Sequence, residues 1–326
     1  MSTTCVSVLL PVYNGAADIE RAVKSVLDQT FQDFELIIIN DGSKDNSLEI
    51  LKSLDDPRIQ LFDQANIGLA ATLNKGIALS KGAFIARQDQ DDLSHPERLA
   101  KQIDFLTKNP ECILLGTAAE IWVGDQPTER AHDHPQEHEL LAFDLLFNNP
   151  FVHSSVMMRR AALTEIGGYS TDKSRQPPED YELWSRMARH GRVANLPERL
   201  LIYREVPQSM SRSGPTPFLD RLVTISAENI ALARGLSEID TTSLDVAAMT
   251  HSAPHRLSRK PNIKAMSKAV EDAAQAVSNG NPAVMERAAE RIRILQYQWA
   301  LQRTSTQWSL PILRRIRAFG KRLGIF

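Results

Sequence analysis

Apolar runs of strand length alternate with amphipathic segments from the start of the chain. Val6 to Val12 has the length and composition of a buried strand, and Tyr13-Asn14-Gly15 turns the chain after it. Ala17 to Gln29 carries helical spacing, with Ile19, Ala22, Val23, Val26 and Leu27 on one face. Phe34 to Asn40 reads as a second buried strand, dense in β-branched residues and closed by Asp41-Gly42-Ser43. A helix is predicted from about Asn46 to Leu54, stopped by Asp55-Asp56-Pro57. Ile59 to Phe62 is a third strand, and the helix Leu69 to Ser80 ends at Lys81-Gly82. Ala83 to Arg87, the fourth strand, runs into Gln88-Asp89-Gln90-Asp91-Asp92.

Strands and helices alternating in this way predict an α/β fold with a right-handed parallel sheet. Ligands of such sheets sit at the carboxyl ends of the strands. Those ends carry short polar residues here: Tyr13-Asn14, Asp41, Asp63 and Asp89 to Asp92. Further along, the pattern predicts a helix from Pro96 to Asn109, a strand over Ile113 to Val123 and a polar loop from Gly124 to Glu139. A strand over Val152 to Met158 and a helix over Tyr181 to His190 follow. From Phe218 onward the chain reads as helical, with linkers at Pro215-Thr216-Pro217 and from His251 to Pro261. The expected division is a catalytic domain over 1–214 and a helical region over 215–326.

Composition narrows this frame. The 326 residues suffice for one large domain and an appendage, and 42% hydrophobic with 24% charged residues is ordinary for a globular protein. No run approaches the ~20 apolar residues that span a bilayer. The segment after Met1 does not resemble a secretory signal. Cys5 and Cys112, with no His/Cys spacing typical of zinc, fit a reducing cytoplasm. The net charge of −2 hides an asymmetry: from Thr241 onward 14 Lys/Arg face 5 Asp/Glu, leaving about −11 on the first 240 residues. An acidic body argues against a nucleic-acid-binding core and suits an acidic metal site.

Three carboxylates in Asp89-Gln90-Asp91-Asp92, directly after a buried strand, repel one another unless a cation offsets them. Oxygen ligands of this kind favour Mg2+ or Mn2+ over zinc. An acidic turn that caps the following helix is the simpler alternative on spacing alone.

Motifs in order resolve that choice. The chain resembles the family 2 glycosyltransferases, whose nucleotide-diphospho-sugar transferase fold is called GT-A: a mixed, mainly parallel sheet flanked by helices, here with a helical C-terminal extension. The residues carrying the resemblance are Val6 to Asn14, Ile37 to Ser43, Asn66-Ile67-Gly68-Leu69, Asp89-Gln90-Asp91-Asp92 with Arg98-Leu99, and His153-Ser154-Ser155-Val156-Met157. Gly167-Gly168-Tyr169, Glu179-Asp180-Tyr181-Glu182-Leu183-Trp184 and Tyr203-Arg204 continue it, so that it covers roughly residues 5 to 211.

The resemblance implies roles for particular residues. Pro11, Tyr13 and Asn14 would border the nucleotide, as would Asn66 and Gly68. Asp41 would accept a hydrogen bond from the base. Asp89 and Asp91 match the DxD motif, with Asp91 as direct metal ligand and Asp89 reaching ribose, or the metal through water. Asp180 matches the catalytic base, which takes the acceptor hydroxyl's proton during an inverting displacement. Arg87 would either face the diphosphate or serve as an ion-pair partner. Many relatives carry a His where this chain has Val206, which leaves a third protein metal ligand in doubt; His153 is not an established substitute.

The function expected is therefore transfer of a sugar from a UDP- or TDP-sugar to a carbohydrate or lipid-linked acceptor, with Mn2+ or Mg2+, in cell-surface polysaccharide or lipopolysaccharide synthesis. A nucleotidyltransferase is the alternative enzyme, though its Gly-rich loop is absent. A catalytically dead relative acting as a membrane-docked binding module is the non-enzymatic one. No Gly-x-Gly-x-x-Gly follows the first strand and no Walker lysine motif occurs. His132, His134 and His138 lie in a loop that reads as solvated or acceptor-facing rather than as a zinc site. Leu310 to Phe326 interleaves apolar residues with Arg314, Arg315, Arg317, Lys321 and Arg322 and has no acidic residue. It reads either as a helix on an anionic membrane surface or as one packed on the catalytic domain. The first reading makes the protein cytoplasmic and peripheral at the inner face of the cytoplasmic membrane.

Overall fold

A computed structural model describes residues 5–206 and 216–305 of the chain. These form two compact units, one from residues 5–142 and 149–206, the other from 143–148 and 216–305. The basic segment Leu310 to Phe326 lies outside the described residues.

In the first unit, β1 (Val6–Val12), β2 (Phe34–Asp41), β3 (Ile59–Gln64) and β4 (Phe84–Arg87) pair in parallel in the spatial order β3-β2-β1-β4. Helices α1 (Ile19–Leu27), α2 (Ser47–Ser53) and α3 (Leu69–Leu79) make the crossovers. β1 and β2 are buried almost throughout, which is why both read as continuous apolar runs rather than alternating ones. Val8, Leu10, Leu36 and Ile38 pack with Ile19, Val23 and Val26 of α1 on one face of the sheet. α3 covers the other: Gly76 sits against Leu9 and Ile39 so closely that a Cβ would lie 3.2 Å from the Leu9 side chain. With helices on both faces, the exposed functional edge of this half is the set of strand ends.

Beyond β4 the sheet becomes mixed. β5 (Leu93–Ser94) and α4 (Arg98–Lys108) lead to the long β6 (Cys112–Val123), β7 (Gln126–His132) and α5 (His138–Asp144). β8 (Met157–Arg159), α6 (Arg160–Ile166), α7 (Glu179–His190) and β9 (Arg192–Glu205) complete the unit. β8 runs antiparallel between β4 and β6, and β9 lies parallel to β6. The expected mixed sheet flanked by helices is the observed architecture.

Three readings need correction. The loop predicted over Gly124 to Glu139 contains β7, an edge strand whose polar sequence Gln126–His132 hid it. The strand predicted over Val152 to Met158 is a 3-10 turn at His153–Ser155 followed by three strand residues. β9 went unseen, because Pro197 and Glu198 interrupt an apolar pattern that the sheet absorbs as an irregular register.

The second unit holds α8 (Thr216–Ala233), α9 (Thr241–Thr250), α10 (Ile263–Val277) and α11 (Pro282–Ser305). α8 begins inside the predicted Pro215–Pro217 linker, with Pro217 in the first turn where its missing N–H costs nothing. Asp240 caps α9 through the Ser243 amide, and Asn262 caps α10 through the Lys264 and Ala265 amides. Asp144 receives two 2.5 Å hydrogen bonds from Arg287 of α11, tying residues 143–148 to this helical unit.

Candidate functional site

The ends of β1, β2 and β4 are stitched together by side chains that the sequence placed there. Asn14 takes a left-handed backbone, φ 51°, a conformation Asn tolerates better than most residues. Its amide donates to Ser43 Oγ at 3.0 Å, and its Oδ1 accepts the Lys44 N–H at 2.7 Å, joining the turns after β1 and β2. Gln90 clasps the turn on the other side. Its Oε1 accepts the Tyr13 N–H at 2.9 Å, and its Nε2 donates to the Tyr13 carbonyl at 3.1 Å. Gly15 leaves room for this clasp, since a Cβ there would meet Gln90 Oε1 at 2.5 Å. Pro11 is half-buried at the end of β1, and the Tyr13 ring is exposed beside it.

Asp41, at the end of β2, organises the neighbouring loop. Oδ1 accepts the Ile67 N–H at 2.9 Å and a Gln64 amide hydrogen at 2.8 Å, while Oδ2 accepts the Gly68 N–H at 3.0 Å. The Asn66 side chain donates to the Asp41 carbonyl at 2.9 Å. Gly68 has φ 88°, and a Cβ there would point into open space, so its backbone conformation rather than crowding calls for glycine.

The turn after β4 gathers the acidic residues. Arg87 is 1% exposed, and its Nη2 lies 2.5 Å from Asp89 Oδ1. It also donates to the Gln88 carbonyl, and its Nε has no partner among the described residues. Burial works against ionisation of Asp89, but the Arg87 charge and the Ser154 hydroxyl outweigh it and hold that carboxyl below its usual range. Asp92 is buried and accepts the Arg204 N–H at 2.9 Å. Burial first, then the charges of Asp89 and Asp91, push it well above the usual range.

Asp91 differs from both. Its carboxylate makes no hydrogen bond or ion pair to any other described residue, while its backbone carbonyl accepts from Arg204 at 3.2 Å. Burial and the Asp89 charge push its carboxyl up to about 6. Arg204, 5% exposed, steadies the turn by bonding Asp18 at 2.5 Å, Asp125 at 3.0 Å and the Gly124 carbonyl at 3.1 Å.

Across this cluster stands the first turn of α7. Asp180 Oδ1 accepts the Tyr181 N–H at 2.7 Å, and Oδ2 accepts from Asn149 Nδ2 at 2.8 Å. Burial raises its carboxyl to about 6, with the Asp89 charge adding to the rise. Glu179 is buried beside it and raised to about 7 by burial and the Asp180 charge. Both feel Arg87 and Asp89, so carboxylates from the β4 turn and from α7 share one electrostatic environment. Trp184 is fully buried among Phe151, His153 and Tyr169, which is a core role. His153 Nε2 lies 2.9 Å from the Tyr169 hydroxyl, and burial pulls the imidazole down to about 3, leaving it neutral. His132 stacks on His134 and meets Tyr203 edge-on, whereas His138 accepts the Val193 N–H. No group of three His, Cys, Asp or Glu among the described residues is arranged to hold a metal by itself.

Ser154, Asn149 and Gln90 are site residues to which the sequence assigned no role. Ser154 was visible in His153-Ser154-Ser155, but only the fold brings its hydroxyl to Asp89 and Asp92, at 2.5 Å each.

Known proteins match this chain in sequence and in fold. The sequence pattern described as "Glycosyl transferase family 2" matches residues 7–167. EpsE of Bacillus subtilis, named as a glycosyltransferase, is 32% identical over 227 residues, 68% of this chain and 80% of that protein. The chain belongs to glycosyl transferase family 2. An uncharacterised glycosyltransferase of Haemophilus influenzae is 33% identical over 61% of the chain, which spans 65% of that relative's length. The O-antigen biosynthesis glycosyltransferase WbnJ of Escherichia coli is 30% identical over 64% of the chain and 83% of its own length. Among solved structures, Staphylococcus aureus TarS in complex with UDP-GlcNAc superposes with a TM-score of 0.62 at 17% identity, covering 92% of each chain. A Pyrobaculum calidifontis mannosyltransferase in complex with GDP-Man and Mn2+ gives 0.51 at 17% identity, covering 92% of this chain and 83% of that one. The family 2 fold is thus the expected GT-A fold.

Proposed function

We propose that this family 2 chain is an inverting glycosyltransferase that moves a sugar from a UDP- or TDP-linked donor to a hydroxyl of a carbohydrate or lipid-linked acceptor. One observation carries the reading: the carboxyls of Asp91 and Asp180, from separate elements, both feel the charges of Arg87 and Asp89. The names of its relatives, O-antigen biosynthesis among them, support a setting in cell-surface polysaccharide or lipopolysaccharide assembly.

The residues suit a hard divalent cation. The Asp91 carboxylate has no partner among the described residues, and the Asp89 charge acts on it. One or two carboxylates, with the remaining positions left to phosphate and water, is the ordinary Mg2+ arrangement. Asp91 would hold Mn2+ or Mg2+ directly, with Asp89 reaching it through water or taking the ribose, and Val206 offers no third ligand. When bound, the ion neutralises diphosphate charge as the leaving group departs.

The chain's own residues do the rest. Pro11, Tyr13, Asn14, Asn66 and Gly68 border the nucleotide. Asp41 Oδ2, which among the described residues accepts only the Gly68 N–H, keeps a lone pair for the N–H of uracil or thymine. Asp180 takes the acceptor's proton as its oxygen forms a bond to the anomeric carbon. The bond from that carbon to the diphosphate oxygen breaks on the opposite face, its electron pair leaving with the nucleotide.

No described helix is long and apolar enough to cross a membrane. Docking of Leu310 to Phe326 on an anionic membrane surface is part of the proposal, and its deletion should move the protein out of the membrane fraction. A panel of nucleotide sugars, nucleoside triphosphates and metals tests the main reading. Metal-dependent binding of UDP- or TDP-sugars is expected, and binding of triphosphates in preference to them would overturn it.

A further inference from the structure

Both oxygens of Asp180 accept hydrogen bonds, and one of the donors is not part of α7. The Tyr181 N–H belongs to its own helix, whereas Asn149 reaches it from the segment between α5 and the 3-10 turn. The Asn149 amide has a defined orientation. Its Oδ1 accepts the Phe151 N–H at 3.0 Å, which leaves the NH2 end to face Asp180 Oδ2. The segment carrying it is pinned in turn. The buried Asn195 of β9 donates to the Pro150 carbonyl at 3.1 Å and the Pro135 carbonyl at 3.0 Å. Phe151 packs edge-on against Trp184 of α7, with ring centroids 6.4 Å apart.

Resting on the reading of Asp180 as base, we propose that Asn149 is the positioning residue of that base. Its amide fixes the rotation of the carboxylate and favours the ionised form, leaving one lone pair on each oxygen for the acceptor hydroxyl. The groups facing Asp180 are Glu179 beside it, Asp89 and Arg87 from the β4 turn, and Tyr169 near its helix. Amid this charge a neutral donor suits the task. A lysine there would depress the base and draw phosphate, whereas an amide contributes a hydrogen bond and no net charge.

The midpoint of Asp180 can be read directly by 13C NMR of labelled aspartate carboxyls in the full chain without ligands, its signal assigned by loss in Asp180→Asn. Asn149→Ala should raise that midpoint by about one pH unit, as expected for loss of one hydrogen bond to a charged group. Asn149→Asp keeps an acceptor for the Phe151 N–H, and so keeps the segment, but replaces the donor with a second anion. It should raise the midpoint further. An unmoved midpoint in folded Asn149→Asp overturns the proposal, as does a turnover loss that is equal at every pH. Near-normal turnover by Asp180→Asn would instead remove the base assignment, and the two failures are distinguishable.

Discussion

Asp89 and Asp92 share the single hydroxyl of Ser154, which lies 2.5 Å from Oδ2 of each. One hydroxyl carries one proton and can donate to only one of them. The other short contact needs a proton from the carboxyl itself. Asp89 is the ionised partner, since Arg87 holds it so, and Asp92 is the protonated one, in keeping with its upward shift. The chain Asp92 to Ser154 to Asp89 therefore joins three groups with two protons. Arg98 makes its hydrogen bonds to the Ser154 and Arg87 carbonyls rather than to the Asp92 carboxyl.

Asp92→Asn follows from this. Asn supplies an oxygen for the Arg204 N–H and an N–H for Ser154, mimicking the protonated acid. A carboxyl raised in the folded state binds its proton more tightly there, so the wild type loses stability as pH rises from near 4 through the folded value. Asp92→Asn should match the wild type near pH 4 and gain on it toward pH 8, measured by urea unfolding of the metal-free protein. Asp89→Asn should go the other way at pH 7, losing roughly 3 kcal/mol because Arg87 is left buried without its partner.

The first half of the fold was legible because burial on both faces writes itself as apolar runs. Val6–Val12 matched residue for residue, and Phe34–Asp41 differed by one. What escaped was short, such as Leu93–Ser94, polar, such as Gln126–His132, or interrupted by Pro197 and Glu198, as in Arg192–Glu205. Within the site, the acidic turn and Asp180 were legible as motifs. Their partners were not: Ser154 lies 62 positions from Asp92, and Asn149 lies 31 from Asp180, separations that no local pattern encodes. The burial of Arg87 was equally invisible, since an arginine after a strand reads the same whether it faces solvent or an aspartate.

The Asp91 carboxylate has no partner among the described residues, and charge without a partner costs stability. Its shift from 3.8 to about 6 means that the metal-free protein loses stability as pH rises through that interval. Asp91→Asn should therefore stabilise the metal-free protein at pH 8 by roughly 1–3 kcal/mol, with no gain near pH 4. The same substitution should abolish metal-dependent UDP binding in calorimetric titrations. A variant that binds UDP and Mn2+ as the wild type does would remove Asp91 from the ligand set.

Gly116 tests the scaffold behind the site. A Cβ there would lie 2.1 Å from Asn195 Oδ1 and 2.9 Å from the Phe151 ring, and both groups are buried. Gly116→Ala should cost about 2–4 kcal/mol in chemical denaturation. Because Asn195 and Phe151 set the segment before the 3-10 turn, surviving folded protein should also lose turnover.

Asp180 links pH to chemistry most directly. With a carboxyl raised to about 6 by burial, the unprotonated base predominates only above that value. Turnover with saturating donor should rise about tenfold per pH unit below 6 and level off above it, and bound donor diphosphate would push the midpoint higher by like-charge repulsion. Asp180→Asn should lower kcat by roughly 100- to 10,000-fold and erase that limb, while donor binding stays near normal. Stability should move oppositely. A raised carboxyl favours the fold below its folded midpoint and loses that advantage as pH climbs from about 4 through 6, so the Asn variant should be the more stable protein at pH 8. Gain of stability with loss of turnover in one substitution is what a strained catalytic group predicts, whereas a helix-opening residue without chemistry would lose stability and leave turnover intact.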